Sequence, residues 1–171
     1  LAQAYLDHFG KDKKVLFVLI SESSKENYIN DAKALGIDLN QFEFQMYHNL
    51  AKSKIWENQY GLVVFDEAHN LKNDTAKKSI VGRNLKSDHF LYATATPMDK
   101  IIHATYFLST ITGQSEDEIA EQLGLELITT TEGSIDGNPY TYAKTLPGVT
   151  LNEALTRLMA LRNVAVANGA F

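Results

Sequence analysis

The segment Leu62–His69, with the sequence Leu-Val-Val-Phe-Asp-Glu-Ala-His, decides the fold of this chain. Its apolar run is typical of a strand that is buried on both faces of a parallel sheet. Asp66 and Glu67 then fall at the carboxyl end of the strand, the edge at which open α/β sheets bind ligands. This pair suits a hydrated Mg²⁺ and a water that attacks a phosphoryl group. A bare acidic pair is also typical of a loop or a helix N-cap.

A second motif follows at the end of another predicted strand. His89–Ala93 is a short apolar stretch that runs directly into Thr94-Ala95-Thr96. In order, spacing and strand context the two motifs resemble the ATPase core of superfamily 2 helicases and translocases of the Swi/Snf-like or restriction-helicase-like type. In that family a DEAH-type Walker B strand precedes a Ser/Thr-Ala-Thr motif on the next core strand. The resemblance is ordered over Val15–Thr110 and loose beyond it.

The resemblance implies a role for each residue of the two motifs. Asp66 would bind Mg²⁺ through water, and Glu67 would polarise the attacking water. His69 would couple the nucleotide site to the motif formed by Thr94, Ala95 and Thr96. From the residues alone, His69 is also typical of a histidine on the surface or in the first turn of a helix. Thr94 and Thr96 are also typical of β-branched residues at the end of a strand before a turn.

The phosphate-binding loop of such an ATPase does not occur in the 171 residues. The loop has the form Gly-x-x-x-x-Gly-Lys-Ser/Thr, and the pair Gly10-Lys11 lacks both the earlier glycine and the hydroxyl residue. A helix-like stretch, Leu1–Phe9, opens the chain, as the helix after the phosphate loop does in the family. We therefore expect a first RecA-like lobe truncated after the Walker A loop, without its second lobe and inactive by itself.

Composition is that of a globular protein. Of 171 residues, 44% are apolar and 22% charged, with a net charge of −5. This acidic balance argues against a broad nucleic-acid surface but not against a local one. The absence of cysteine excludes disulfides and cysteine-based zinc sites, and no apolar run approaches the roughly 20 residues of a membrane span. We expect a soluble, cytoplasmic protein that does not contact a membrane.

Alternating strands and helices predict an α/β fold, a RecA-like three-layer αβα lobe with a mainly parallel sheet that is incomplete at its N-terminus. The partial lobe is predicted to span residues 1–110. Its predicted strands are Lys14–Ile20, Phe42–Tyr47, the run from Leu62 and His89–Ala93. Its predicted helices are one from a Ser23-x-x-Glu26 capping box to Leu35, Asn49–Glu57, Thr75–Leu85 and Ile101–Thr110.

Residues 111–171 are predicted to form a helical extension with a β-hairpin, packed on the same lobe. Capping boxes at Ser115-x-x-Glu118 and Thr150-x-x-Glu153 each predict a helix start. Between them, two β-branched or aromatic stretches flank Asp136-Gly137, a pattern typical of a hairpin. In the last helix, an apolar stripe predicts core packing. The stripe comprises Leu151, Leu155 and Leu158, broadened by Met159 and Leu161.

Nucleic-acid contacts are the least specific prediction. The candidates are Ser21, where the family's first nucleic-acid motif falls, and Lys72, Lys77 and Arg83 after the DEAH stretch. Lys78, Lys86 and the hairpin residues Tyr140, Tyr142 and Lys144 are further candidates. For the basic residues a solvated helix face is the simpler interpretation. For Ser21 the simpler interpretation is that its side chain caps a helix.

The leading functional hypothesis is therefore that the chain is part of an ATP-dependent helicase or translocase, with ATP and Mg²⁺ as cofactors. Its partners would be DNA or RNA and a second RecA-like lobe of the same polypeptide. The competing hypothesis is a non-catalytic, helicase-like binding module that has lost its phosphate loop. A weaker third hypothesis is an unrelated metal-dependent phosphatase that uses Asp66. It would need further carboxylates at neighbouring strand ends.

Overall fold

A computed structural model describes residues 1–10, 12–71, 77–94, 100–134 and 137–167. These residues divide into two compact units, the first ending at residue 94 and the second beginning at residue 100. Among the described helices, no span is long and apolar enough to cross a membrane.

In the described part of the first unit, four strands form a parallel sheet. The strand order is β2-β1-β3-β4, and every neighbouring pair is parallel. The predicted α/β fold with a mainly parallel sheet is confirmed, and the architecture is consistent with a RecA-like lobe. The strands are β1 (Val15–Leu19), β2 (Phe42–Met46), β3 (Gln59–Asp66) and β4 (Lys86–Ala93).

Burial across the sheet is uneven. All of β1 and most of β3 are buried, whereas β4 is largely exposed. Phe17 lies at the centre of an apolar cluster on one face, where its ring stacks on Phe44 at 5.5 Å. Because the central strands β1 and β3 have neighbours on both sides, their apolar runs fill the interior, as parallel strands do.

Three α-helices lie among the described residues of this unit: α1 (Ala2–Phe9), α2 (Glu22–Ala34) and α3 (Lys77–Arg83). The start of α2 differs from the prediction. Ser21 is the N-cap, because its Oγ accepts a hydrogen bond from the Ser24 backbone N–H at 3.2 Å. The predicted Ser23-x-x-Glu26 box therefore lies inside the helix, and Ser23 instead contacts the Ser21 hydroxyl.

The predicted helix Asn49–Glu57 is also wrong. The chain there forms two separate 3-10 segments, Tyr47–Lys52 and Ile55–Glu57. Ser53 ends the first of them with its backbone N–H bonded to Asn49 and its Oγ donating to the Leu50 carbonyl. Serine side chains that bond nearby carbonyls compete with regular helix, which explains the break.

The second unit, as far as its residues are described, contains three helices and a β-hairpin: α4 (Ile101–Thr112), α5 (Glu116–Leu123), β5 (Leu125–Thr130), β6 (Tyr140–Thr145) and α6 (Leu151–Ala167). The hairpin is antiparallel, and part of its predicted turn, Asp136, lies outside the described residues. Helix α4 packs against α5 and α6. The unit boundary therefore lies upstream of the predicted boundary at 110, and the packing of residues 111–171 on the first lobe stays a prediction.

Both predicted capping boxes of this unit are present. Ser115 and Glu118 exchange side-chain and backbone hydrogen bonds, as do Thr150 and Glu153. The buried face of α6 differs from the predicted stripe, since Leu151, Leu155 and Met159 are exposed. The core of the unit instead receives Ala154, Leu158, Leu161 and Ala165. Small alanines allow α6 to approach its neighbours closely, which apolar periodicity alone does not predict.

Candidate functional site

The carboxyl ends of β3 and β4 bring the two sequence motifs together. In the parallel register Asp66 lies opposite Ala93, so Thr94 follows directly beside the acidic pair. The apolar residues of β3 are buried on both faces and hold this end of the strand in place. The expected closeness of the DEAH stretch to Thr94 is therefore found. Ala95 and Thr96 lie outside the described residues.

Asp66 occupies a partly buried position that disfavours its charge. Burial raises the pKa of this carboxyl, the neighbouring Glu67 carboxylate raises it further, and the Glu67 backbone N–H lowers it by a hydrogen bond. Because a cation would offset both unfavourable effects, the position favours binding of a positive charge. A metal ion at this edge would favour the ionised form of Asp66.

The donor set fits magnesium that arrives with a nucleotide. Within the described ranges, no group of three or more His, Cys, Asp or Glu side chains could hold a metal by itself. Mg²⁺ keeps several waters and is commonly bound through one or two carboxylates together with substrate phosphates. Asp66 provides such a carboxylate, which leaves the adjacent Glu67 available to a water molecule.

Glu67 adopts a strained backbone conformation. Its φ is +52°, and it is the sole non-glycine residue with positive φ in the described part of the chain. A left-handed conformation costs a residue with a β-carbon roughly 1–2 kcal/mol. Strain of this kind is typical of functional positions where the surroundings hold the backbone. The conformation turns the chain sharply at the end of β3, immediately before the 3-10 turn Ala68–Leu71.

His69 connects the acidic pair to the second motif. Its Nδ1 lies 3.2 Å from Glu67 Oε2 and 3.2 Å from Thr94 Oγ1. The ring is half-buried, so both contacts are partly screened from water. This is the contact that the expected coupling role of His69 requires.

Tyr47 brings a buried hydroxyl to the same region. The residue is 3% exposed, and its phenol oxygen has no hydrogen-bond partner among the described residues. Its ring stacks on Phe65 with a centroid distance of 6.4 Å. Burial raises the pKa of this phenol, and the nearby charges of Asp66 and Glu67 raise it further. The hydroxyl is thus a neutral donor beside the acidic pair.

The candidate nucleic-acid residues have different surroundings. Ser21 caps α2 and also contacts two neighbouring serine hydroxyls. Arg83 donates from Nη2 to the Leu71 carbonyl at 3.1 Å. Lys77 is exposed at the start of α3, and Lys72 lies outside the described residues. Of Ser21, Arg83 and Lys77, Lys77 alone is exposed to solvent.

Two contributors to the site were missed in the sequence. Asn70 donates from its backbone N–H and from Nδ2 to the Glu67 carbonyl, each at 3.0 Å. Lys78 donates to Asn70 Oδ1 at 3.0 Å. No sequence signal separates these residues from ordinary polar residues of a loop and a helix, and Lys78 was considered only for nucleic-acid contact.

Comparison with known proteins gives the following. No family model matches the chain. Over 111 residues it is 31% identical to an uncharacterized killer plasmid pGKL-2 helicase of Kluyveromyces lactis, an alignment that covers 57% of this chain and 18% of the relative. The solved SWI2/SNF2 ATPase core of Sulfolobus solfataricus in complex with dsDNA is 20% identical. That match has a TM-score of 0.44 and covers 53% of this chain and 23% of that one.

The chain thus spans a small part of the length of the proteins that it matches. The DEAH stretch follows a buried central strand, Thr94 lies at the end of the neighbouring strand, and the sheet is parallel. In its motifs and its parallel α/β sheet, the chain is helicase-like and resembles the RecA-type ATPase lobe of superfamily 2.

Proposed function

We propose that this chain acts within an ATP-dependent helicase or translocase, in which hydrolysis of ATP moves nucleic acid. The observation that carries the proposal is the contact of His69 with both Glu67 and Thr94, at 3.2 Å in each case. That contact joins an acidic pair suited to phosphoryl transfer to the motif on the next strand. The plasmid relative, itself described as a helicase, supports the same class of activity.

Asp66 and Glu67 have separate tasks in the proposed reaction. Asp66 would hold Mg²⁺ through water, and the ion would supply positive charge for the phosphate oxygens. Glu67 accepts a hydrogen bond from the attacking water and takes its proton on a carboxylate oxygen. His69 orients the Glu67 carboxylate through Nδ1 and links its position to Thr94. The coupling motif would continue into Ala95 and Thr96.

Other parts of the ATPase site would come from outside these 171 residues. The sequence contains no Gly-x-x-x-x-Gly-Lys-Ser/Thr segment to hold the phosphates. We therefore propose that a phosphate loop and a second lobe of a longer polypeptide complete the site around the bound nucleotide.

Glu67→Gln in the full-length protein is the decisive experiment. Because glutamine keeps the shape of the side chain but cannot take a proton, ATP binding should persist. Turnover should fall by about 10²–10⁴-fold, the usual contribution of a general base. Glu57→Gln, which alters an exposed glutamate of the same unit, is the control and should leave turnover unchanged.

Two results would contradict the proposal. Unchanged turnover in Glu67→Gln would remove Glu67 from the base role. A wild-type full-length protein that binds nucleic acid but hydrolyses no ATP would instead support the non-catalytic binding module. Separately, hydrolysis of ATP by the 171-residue chain alone would show that the reaction needs no phosphate loop from another part of the polypeptide.

The nucleic-acid partner is proposed to bind through its backbone, with little sequence preference. Lys77 is the best-placed candidate, and Lys72, Arg83 and Ser21 are secondary ones. Because each phosphate contact releases condensed counterions, Lys77→Ala should weaken binding of all sequences alike. It should also reduce the slope of log K against log salt by about 1.

Fluorescence anisotropy with labelled DNA and RNA oligonucleotides over a salt series would measure the effect of Lys77→Ala. Lys33→Ala, in which an exposed lysine of α2 is removed, is the matched control. Equal affinities and slopes for the two variants would exclude Lys77 from the contact surface.

A further inference from the structure

The carbonyl of Glu67 accepts two hydrogen bonds from one residue. Asn70 donates from its backbone N–H and from its side-chain Nδ2, each at 3.0 Å. Glu67 is also the residue with φ of +52°. Because an unfavourable backbone conformation persists where surrounding contacts fix it, this pair of bonds is the local restraint on Glu67.

Lys78 fixes the orientation of the Asn70 amide. Its Nζ donates to Asn70 Oδ1 at 3.0 Å. An ammonium group has donors and no acceptor, so it can pair with the amide oxygen and not with the amide nitrogen. Contact with Lys78 therefore turns Nδ2 away from Nζ and toward the Glu67 carbonyl.

Tyr47 supports Lys78 in turn. The ammonium lies 5.9 Å from the centroid of the Tyr47 ring, within the range of a cation–π contact. The ring is held against Phe65 of β3. A continuous set of contacts thus runs from the core strand through Tyr47, Lys78 and Asn70 back to the backbone of Glu67.

Helix α3 makes further bonds to the same turn. Ser79 is fully buried and donates from Oγ to the Asn70 carbonyl at 3.3 Å, and Arg83 donates to the Leu71 carbonyl. Gly82 faces Leu71, where an added β-carbon would lie 2.7 Å from Leu71 Cδ2. The helix therefore approaches the turn Ala68–Leu71 closely and contacts it at successive residues.

We propose that Asn70 and Lys78 are positioning residues that hold Glu67 in its left-handed conformation and so aim its carboxylate at the attacking water. The proposal rests on the proposed function, since it assigns Asn70 and Lys78 to the work of the water-activating carboxylate. Neither residue touches the reacting atoms. Lys78 acts through Asn70, and Asn70 acts through the Glu67 backbone.

Asn70→Asp and Lys78→Met in the full-length protein test the proposal by kinetics. The first removes the Nδ2 donor but keeps an acceptor for Lys78, and the second removes the ammonium but keeps the apolar stem over Tyr47. Because misplacement of a catalytic group lowers the rate rather than the affinity, kcat should fall by about 10- to 100-fold. KM for ATP should stay within about twofold.

Rescue and control variants separate positioning from general destabilisation. Lys78→Arg keeps a donor for Asn70 Oδ1 and should restore most of kcat. Asn30→Asp and Lys33→Met make the same chemical changes at exposed positions of α2 and should leave kcat unchanged. Thermal unfolding of each variant shows whether the fold is intact.

Nuclear magnetic resonance provides a readout that does not depend on turnover. With ¹³C-labelled glutamate and ¹⁵N-labelled asparagine, the Glu67 carbonyl should show couplings across both hydrogen bonds in the wild type. In Lys78→Met the coupling to the Asn70 side-chain nitrogen should disappear, and in both Asn70→Asp and Lys78→Met the Glu67 Cα shift should leave its left-handed value.

The two proposals fail in different ways. Normal kcat in both Asn70→Asp and Lys78→Met, with turnover lost in Glu67→Gln, would overturn the positioning role alone. An unchanged Glu67 Cα shift in both variants would also overturn it. Full turnover in Glu67→Gln would overturn the proposed function, while the Cα shift would still report on the backbone restraint.

Discussion

Strands β3 and β4 lie side by side and end at the two motifs, yet they differ in burial. Phe65 of β3 is 0% exposed, whereas Phe90 of β4 is 39% exposed although both belong to apolar runs. Strand β4 is last in the order of the described sheet, and it has a described neighbour on one side only. An apolar run therefore indicates a strand but does not indicate its place in the sheet.

The largest expected difference between the strands is in stability. Phe65→Ala should lower the free energy of unfolding by about 3–5 kcal/mol, because it leaves a cavity among Tyr47, Tyr92 and Phe90. Phe90→Ala should cost about 1–2 kcal/mol, since part of that ring is already in water. Urea unfolding followed by circular dichroism would measure both, and equal losses would mean that β4 is covered in solution.

A smaller effect is expected where α1 joins the two strands. The Tyr5 hydroxyl donates to the Gly61 carbonyl at 2.7 Å and lies 3.2 Å from His89 Nδ1. Tyr5→Phe removes these bonds and should cost about 1 kcal/mol, the usual net value of a hydrogen bond. Tyr28→Phe, at a half-buried ring of α2, is the matched control. A larger loss in the control would show that the Tyr5 hydroxyl does not link α1 to β3 and β4.

The smallest expected effect is the change of folding stability with pH, which has opposite signs for a carboxyl group on β3 and one on β4. Burial raises the pKa of Asp66 at the end of β3, so the folded state binds protons more tightly there than the unfolded state. Stability from this group is greatest below its ordinary pKa of 3.8 and falls as pH rises toward the folded pKa. Asp66→Asn should therefore stabilise the protein at neutral pH and have little effect in acid.

Asp88 of β4 should show the reverse. The hydrogen bond from Lys13 holds the pKa of this carboxyl below its usual value. Its stabilisation is present above the ordinary pKa and disappears as pH falls through the folded value. Asp88→Asn should slightly destabilise the protein at neutral pH. Thermal unfolding of both variants from pH 3 to pH 7 would test the signs, and the same sign for both would contradict this account.

The sequence predicted the parallel sheet and the placement of the acidic pair because these depend on local apolar runs and on chain order. The Ser115 and Thr150 caps were also predicted correctly, since each box has one candidate serine or threonine. At α2 several serines compete, and the choice of Ser21 depends on where the chain leaves β1. The exposed leucines of α6 were wrongly placed in the core because helical spacing does not identify which face meets a neighbour.

The sequence predicted which residues of the two motifs lie close together, but it did not predict the backbone conformation of Glu67. The acidic pair, His69 and Thr94 follow from motif order, which the parallel register brings together. The left-handed backbone of Glu67 could not be predicted, because a glutamate rarely adopts that conformation. It depends on Asn70 and Lys78, which meet only when α3 has packed against the turn after β3.

One nitrogen of His69 serves two neighbours, and this makes the ring a reporter of its own tautomer. With a proton on Nδ1 the ring can donate to Glu67 Oε2 or to Thr94 Oγ1, whereas with a bare lone pair it can only accept from the Thr94 hydroxyl. The ¹⁵N resonance of that single atom would therefore show whether the ring can donate to the acidic pair or only accept from the neighbouring strand. The presence or absence of a proton on Nδ1 therefore decides whether His69 can form a hydrogen bond to both motifs or to Thr94 alone.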